Sequence, residues 1–226
     1  MTRDLVAFVP MKLNNERLPG KNTREIGPGK PLFHCILDSL ARSEISDIYV
    51  YCSDPEIVEL LPDGVRFLQR SEHLDRSDTK INEVMAAFAA DVPSEAYLMT
   101  HATAPFLSTA SLDRVAAAVR GGEHDSALTV TRLQEFVWAD GRPLNYDPVA
   151  IPRTQDLPPY YTETTGCYAY DADLLLNQGR RIGETPALIE VSKIEAIDIN
   201  EPIDFEIAQA VYKQIHDVLP ELDTER

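Results

Sequence analysis

An open α/β sheet, doubly wound and mostly parallel, is the fold class that this sequence predicts, and three observations predict it. Short apolar runs rich in β-branched and aromatic residues alternate with helix-length amphipathic stretches, the order produced when parallel strands are joined by crossover helices. The chain has 226 residues, 44% of them hydrophobic, which suits one domain or one domain with a small excursion. One proline-punctuated stretch, from about Leu133 to Tyr161, breaks the alternation and reads as that excursion.

Leu5 to Val9 reads as a buried strand. Pro31 to Arg42 reads as a helix, because Leu32, Ile36, Leu37 and Leu40 fall on one stripe at helical spacing. Ile48 to Cys52 is a second strand, and Ser53-Asp54-Pro55 is a helix start with proline at the first helical position. Val65 to Leu68 is a short strand, Ile81 to Ala90 a helix, Tyr97 to Met99 a strand, Thr109 to Arg120 a helix and Ala127 to Val130 a strand. In the excursion, Pro143, Pro148, Pro152, Pro158 and Pro159 prevent any long period. Cys167 to Tyr170 and Glu195 to Ile199 return as strands. A last helix runs from about Pro202 to Val218, with Ile203, Ile207, Val211 and Ile215 as its expected core stripe. Sites in such folds lie beyond the carboxyl ends of the strands, so the stretches after Val9, Cys52, Met99 and Ile199 are the places to look for chemistry.

Charge narrows the partners. The formal net charge is −16, from 21 Lys and Arg against 37 Asp and Glu. Such a surface repels phosphate backbones and anionic lipid, which argues against nucleic-acid and membrane binding. The apolar run at the start is only five residues long before Pro10, too short for a signal h-region or a span. Cys35, Cys52 and Cys167 are odd in number and far apart, so a disulfide framework or cysteine zinc site is not expected, and a reducing cytoplasm fits.

One segment runs against the global charge. From Pro10 to Pro31 there are five basic residues (Lys12, Arg17, Lys21, Arg24, Lys30) and two acidic ones, a local +3 that leaves −19 on the rest. A positive loop after the first strand is a place for a polyphosphate, with Lys21 expected in a solvated pocket. It is not a standard phosphate motif. Lys21 follows Gly20 without the spaced upstream glycine, Gly29-Lys30 is followed by Pro31 where Ser or Thr would meet Mg²⁺, and no G-x-G-x-x-G occurs. On charge and position alone, a solvated basic loop explains the segment as well as a phosphate site does.

The motifs from end to end resemble one family. Lys12 to Asn22 with its R-L-P-G-K-N ending, then Gly29-Lys30-Pro31-Leu32, resembles the opening of the acylneuraminate cytidylyltransferases and their pseudaminic and legionaminic acid relatives. Tyr49 to Asp54 resembles the family's strand ending in S-T-D, and Arg70 to Leu74 its R-P-x-x-L element. Thr100 to Leu107 stands where Q-P-T-S-P-L-R is usual. Arg153 to Pro159 and Thr165-Gly166-Cys167-Tyr168 resemble R-x-x-L-P and N-G-A-I-Y, and Ile197 to Phe205 resembles I-D-I-D-x-x-x-D-F.

The resemblance implies a Rossmann-like nucleotidyltransferase fold over 1–226, with a protruding dimerisation and sugar-contact segment at about 133–165. It implies that a sugar hydroxyl attacks the α-phosphorus of CTP and that a CMP-sugar and pyrophosphate leave. Nucleotide contacts then fall to Pro10, Met11, Lys12, Asn15, Lys21, Asn22, Arg70 and Ser77, with Lys21 catalytic. Sugar contacts fall to His101, Thr103, Arg153, Gln155, Thr165 and Gly166. Asp198, also catalytic, and Asn200 would hold Mg²⁺ or Mn²⁺, since residues i and i+2 of a strand share a face. Asn200 reads equally as the N-cap of the last helix. Tyr160 and Tyr161 read as sugar-pocket or packing residues. A cytoplasmic homodimer with shared sites is expected.

Four positions depart from the family pattern. Lys12 stands for an arginine, His101 for a glutamine, Leu107 for an arginine and Asn200 for an aspartate. His101 then tunes substrate choice, provides a proton acceptor, or is a plain loop histidine. Three functions stay open: a cytidylyltransferase for a sialic-acid-like 3-deoxy-2-keto sugar acid, a nucleotidyltransferase for an eight-carbon acid or sugar phosphate, and a non-catalytic nucleotide-binding regulatory dimer.

Overall fold

Leu5-Val-Ala-Phe-Val-Pro-Met11 is apolar at every position, as a strand covered on both faces must be. In the computed structural model, which describes residues 4–215, this stretch is β1 (Leu5–Met11) near the middle of one seven-stranded sheet. The other strands are β2 (Ile48–Cys52), β3 (Val65–Gln69), β4 (Ala96–Thr100), β5 (Ser126–Leu133), β6 (Tyr160–Asp171) and β7 (Pro186–Glu190). Their order is β7-β5-β6-β4-β1-β2-β3. Every pairing is parallel except those of β6, which runs antiparallel to β4 and β5. The mostly parallel α/β fold is therefore as expected.

The helices are α1 (Leu32–Ala41), α2 (Ile81–Asp91), α3 (Thr109–Arg120), α4 (Ala172–Gln178) and α5 (Pro202–Lys213). They cover both faces. Leu5, Ala7, Val9 and Met11 point into one apolar layer with Ile36, Leu37, Leu112 and Val115 of α1 and α3. Val6 and Phe8 point into the other with Val84, Met85, Phe88, Leu174 and Leu175 of α2 and α4. That alternation is the two-residue side-chain period of a strand. A third cluster joins Leu18, Ile26 and Leu32 to Phe106, Ile199, Phe205 and Ala208, tying the basic loop to the base of α5. No helix among the described residues is long and apolar enough to cross a membrane.

Several expected elements differ. Glu195 to Ile199 is not a strand. The place beside β5 is taken by β7, a short edge strand beginning at Pro186, and the chain leaves the sheet after Val191 donates to Val130 O. Residues 192–196 then form a turn, and Ile199 donates to Thr103 O in a loop. The helix after Pro55 is a 3₁₀ turn, Pro55–Leu60, capped by the Asp54 carboxylate on Glu56 N–H. β6 is longer than the predicted Cys167–Tyr170. Its first half pairs with Thr131, Arg132 and Leu133, where neither strand has another neighbour. The two strands thus continue past the sheet as a ribbon carrying the proline-rich segment. A hairpin there, Trp138–Ala139 with Arg142–Pro143, turns at Asp140-Gly141, both at positive φ.

The final helix presents a different face from the one expected. Phe205, Ala208 and Ile215 are buried, whereas Ile203 is 58% exposed and Ile207 is exposed too. A four-residue repeat overshoots the 3.6-residue turn, so the stripe starts exposed at Ile203 and Ile207 and winds onto the core only towards Val211 and Ile215. Residues 216–218 of the predicted helix lie outside the described residues.

Candidate active site

The carboxyl ends of β1 and β4 open into a cleft of about 340 Å³. Pro10, Met11, Lys12, Asn15, Lys21, Asn22, Arg70, Ser77, His101 and Thr103 all line it, together with Leu74, Arg76, Thr79, Ile81 and Ala102. A larger hollow of about 930 Å³ lies at the opposite ends of the strands, against Asp4, Glu44, Asp47 and Glu95. Four carboxylates repel a polyanion, so the smaller, cationic cleft is the candidate.

The basic loop is built to aim its side chains. Gly20, at φ 66°, turns the chain into a short 3₁₀ segment, Lys21–Thr23. Lys21 is only 9% exposed, so it is not in the solvated pocket expected of it, and Nζ donates to Ile199 O at 2.8 Å. Burial lowers the Lys21 pKa against the opposing field of Asp198. A desolvated ammonium of this kind gains most when an anion arrives. Asn22 donates through Nδ2 to Lys12 O at 2.9 Å, and Lys12 Nζ donates to Asp75 O at 2.7 Å. The side-chain oxygens of Asn15 and Asn22 are buried without a hydrogen-bond partner. Such orphaned acceptors cost about 1–3 kcal/mol each unless a ligand or water supplies a donor.

Asp75 organises the opposite wall. Arg70 Nε reaches Asp75 Oδ1 at 3.0 Å, its Nη2 meets the same oxygen, and Ser53 Oγ donates to Oδ2. With its side chain 5% exposed, Arg70 braces the loop that carries Ser77. Arg76, exposed and paired with Asp78, adds a cation to the cleft that no motif pointed to. The signal available in the sequence is its place just beyond the Arg70–Leu74 element, next to Ser77. Leu107, where the family pattern has arginine, is a buried core residue.

β6 adjoins the cleft through Gly166 O, which accepts the His101 N–H, but Thr165, Gly166, Asp198 and Asn200 are not among the residues that line it. Between Glu163 and Tyr168 the ladder is irregular, and Thr165 sits at φ 59°. Thr164 Oγ1 and Thr129 Oγ1 lie 2.6 Å apart and satisfy the N–H groups of Gly166 and Cys167. Gly166 O accepts from Thr100 Oγ1 and from His101 N–H. The kink delivers Thr165 Oγ1 to Asp198 Oδ2 at 3.2 Å, and Asn200 Nδ2 donates to the same oxygen at 2.7 Å. Burial lowers the His101 pKa to about 4, with Arg181 and Lys21 adding to the shift and Asp198 opposing it. The ring is therefore neutral at neutral pH.

The donor set around Asp198 fits a divalent cation held chiefly by a nucleotide. Among the described residues no group of three or more His, Cys, Asp and Glu could hold a metal, but Mg²⁺ ordinarily takes one or two carboxylates plus phosphate oxygens and water. Asp198 offers the carboxylate. Asn200 Oδ1 is engaged by Arg17 Nη2 at 2.9 Å, so ligation by Asn200 requires its amide to turn. The N-cap of α5 is Glu201, one residue beyond Asn200; Asp204 accepts the Asn200 and Glu201 N–H groups. Arg153 and Gln155 are not among the residues lining the cleft of their own chain. They sit on a 3₁₀ turn of the excursion, Thr154–Asp156, where Arg153 is exposed and paired with Asp156.

Three comparisons bear on this arrangement. A family model described as Cytidylyltransferase matches residues 6–221. The CMP-N,N'-diacetyllegionaminic acid synthase of Legionella pneumophila is 28% identical over 223 residues, covering 91% of this chain and 94% of that protein. Among solved structures, CMP:2-keto-3-deoxy-manno-octonic acid synthetase complexed with CTP aligns with a TM-score of 0.70 at 16% identity, covering 93% of this chain and 98% of that one. A 4-diphosphocytidyl-2C-methyl-D-erythritol synthase from Anaerococcus prevotii aligns at 0.62, also at 16% identity, over 92% and 96% of the two chains. At that identity the two structures speak for the fold.

Proposed function

Because this chain belongs to the cytidylyltransferase family, we propose that it joins CTP to a sialic-acid-like 3-deoxy-2-keto sugar acid, giving a CMP-sugar and pyrophosphate. The observation that carries the reading is the convergence of Lys12, Lys21, Arg70 and Arg76 on one cleft of an otherwise acidic protein. Lys21 also reaches across to Ile199 O, next to Asp198. The legionaminic acid synthase supports a nine-carbon acid.

The anomeric hydroxyl oxygen forms a bond to the α-phosphorus, the bond from that phosphorus to its β-bridging oxygen breaks, and the hydroxyl proton is released. Positioning and charge stabilisation supply most of such a barrier reduction. Lys21 and Lys12 neutralise the triphosphate and the departing pyrophosphate. The orphaned oxygens of Asn15 and Asn22 accept from nucleotide N–H or O–H donors. His101, with a pKa of about 4, accepts a hydrogen bond and orients a sugar hydroxyl; its basicity is too low to retain the proton. Asp198 would hold Mg²⁺ or Mn²⁺, with Asn200 beside it, and the ion would screen phosphate charge and polarise the α-phosphoryl group.

The excursion supports a homodimer with shared sites. Trp138, Leu144, Ile151, Tyr160 and Tyr161 are exposed there, as is Val149 at 92%. A patch of that kind marks a protein interface, and in a dimer Arg153 and Gln155 would enter the partner's cleft. Three cysteines far apart in the sequence suit the reducing cytoplasm. The test is pyrophosphate release from CTP and Mg²⁺ with a panel of nine- and eight-carbon sugar acids and sugar phosphates. Turnover confined to a sugar acid is expected. CTP binding without turnover on any acceptor would replace this reading with a regulatory one.

A further inference from the structure

A sugar acid carries a fixed carboxylate, and the cleft described above spends its cations on the triphosphate. Arg181 stands outside that lining. It follows α4, which ends at Gly179 in the left-handed conformation, and its guanidinium carbon lies 3.6 Å from the centroid of the Tyr168 ring. Tyr168 is buried in β6, and its hydroxyl donates to Glu163 Oε2 at 2.7 Å, so the ring under the guanidinium is fixed. The register places Tyr168 opposite Met99, two residues before His101. Gly166, two residues before Tyr168, accepts the His101 N–H, and Thr165 beside it contacts Asp198. The charge of Arg181 is felt at His101.

Resting on the sugar-acid reading, we propose that Arg181, stacked on Tyr168, binds the carboxylate of the acceptor sugar. Stacking occupies the face of a guanidinium and leaves its in-plane N–H edge available, the geometry that pairs bidentately with a carboxylate. Arg181 lies in none of the motifs that the family resemblance rests on.

The test uses the full-length protein and the sugar acid that the wild type turns over, with its 1-carboxamide as probe. Arg181→Met keeps the apolar stem over Tyr168. It should raise KM for the acid about 30-fold, the loss expected for a charge-assisted pair, while the CTP Kd stays within about twofold. The wild type's preference for acid over amide should collapse towards unity. Should Arg181→Met fail to fold, Arg181→Lys keeps the charge without the fork and should raise KM about tenfold. An unchanged KM, or a preference for acid over amide that survives in the variant, overturns the assignment of Arg181. A wild type that turns over no sugar acid removes the acceptor reading, and the proposal with it.

Discussion

Thr165 is a β-branched residue held at φ 59°, a conformation that costs of the order of 1–3 kcal/mol and persists only where the surroundings impose it. Here they do: Thr129 and Thr164 hold the kink of β6, and the reward is a hydroxyl on Asp198. Asparagine tolerates this region and keeps a donor, so Thr165→Asn should raise the unfolding free energy by about 1 kcal/mol. A higher urea midpoint at unchanged slope, with turnover kept, is the expected result; a lower midpoint would show that no strain is stored there. His101 makes a second residue-scale prediction. Its folded pKa of about 4 lies below the ordinary value, so between those two pH values the unfolded chain binds more protons and stability falls as pH falls. Urea unfolding at about pH 7 and about pH 4.5 should show the wild type losing about 1–2 kcal/mol more than His101→Gln; equal losses would remove the half-buried neutral ring. The loop from Lys12 to Asn22 was legible in the sequence because it is local, a run of charge after a strand. The roles of Asp75 and Arg181 were not, because each depends on a contact between segments that no spacing reveals: Asp75 with Lys12 and Ser53, Arg181 with Tyr168.

At the scale of elements, the site depends on a turn that hydrogen bonds hold in place of a strand. Glu195 Oε1 accepts from Ser108 N–H, Ser108 Oγ and Ser111 Oγ at the start of α3, and Oε2 accepts from Ser192 N–H. Those donors outweigh burial and keep the Glu195 carboxyl below its usual range. Its stabilisation is thus present above the ordinary carboxylate pKa and is lost as pH falls through the lowered one. Glu195→Ala strands four donors, and we expect a loss of about 2–4 kcal/mol in unfolding free energy. Because Asp198 is three residues further on, the half-saturating Mg²⁺ concentration in the pyrophosphate assay should rise too; a stability loss with an unaltered Mg²⁺ titration would separate the latch from the site. The same region explains where the pattern misled. Ala196, Ile197 and Ile199 look like a strand because they are apolar, yet Ile199 packs under α5 in a cluster with Leu18 and Phe205. β7 escaped notice because a five-residue edge strand with only Ala187 buried carries little pattern. β1, β2, α1 and α3 were legible almost to the residue, since each is covered deeply enough for its period to be strict.

The molecule as a whole carries −16, so two copies repel, and any association must come from apolar surface. The excursion provides it without disturbing the core: Val149 and Ile151 are exposed in the monomer, so an aspartate at either position leaves the fold intact and is costly only when buried against a partner. If sites are shared, Lys21 of one chain and Arg153 of the other serve one reaction, and a heterodimer rescues two inactive parents. Lys21→Met and Arg153→Ala homodimers should each be nearly silent. Mixed and allowed to exchange, they should recover up to about a quarter of wild-type turnover, because half the dimers are mixed and each holds one intact site. Adding Val149→Asp to both parents should abolish the rescue and shift the light-scattering mass to that of a monomer. Salt gives an independent check, since raising it from about 20 to about 300 mM screens the repulsion and should tighten the dimer while weakening CTP binding. Two silent parents that never complement, although dimeric by mass, would place Arg153 outside the partner's site and leave the excursion a contact surface alone.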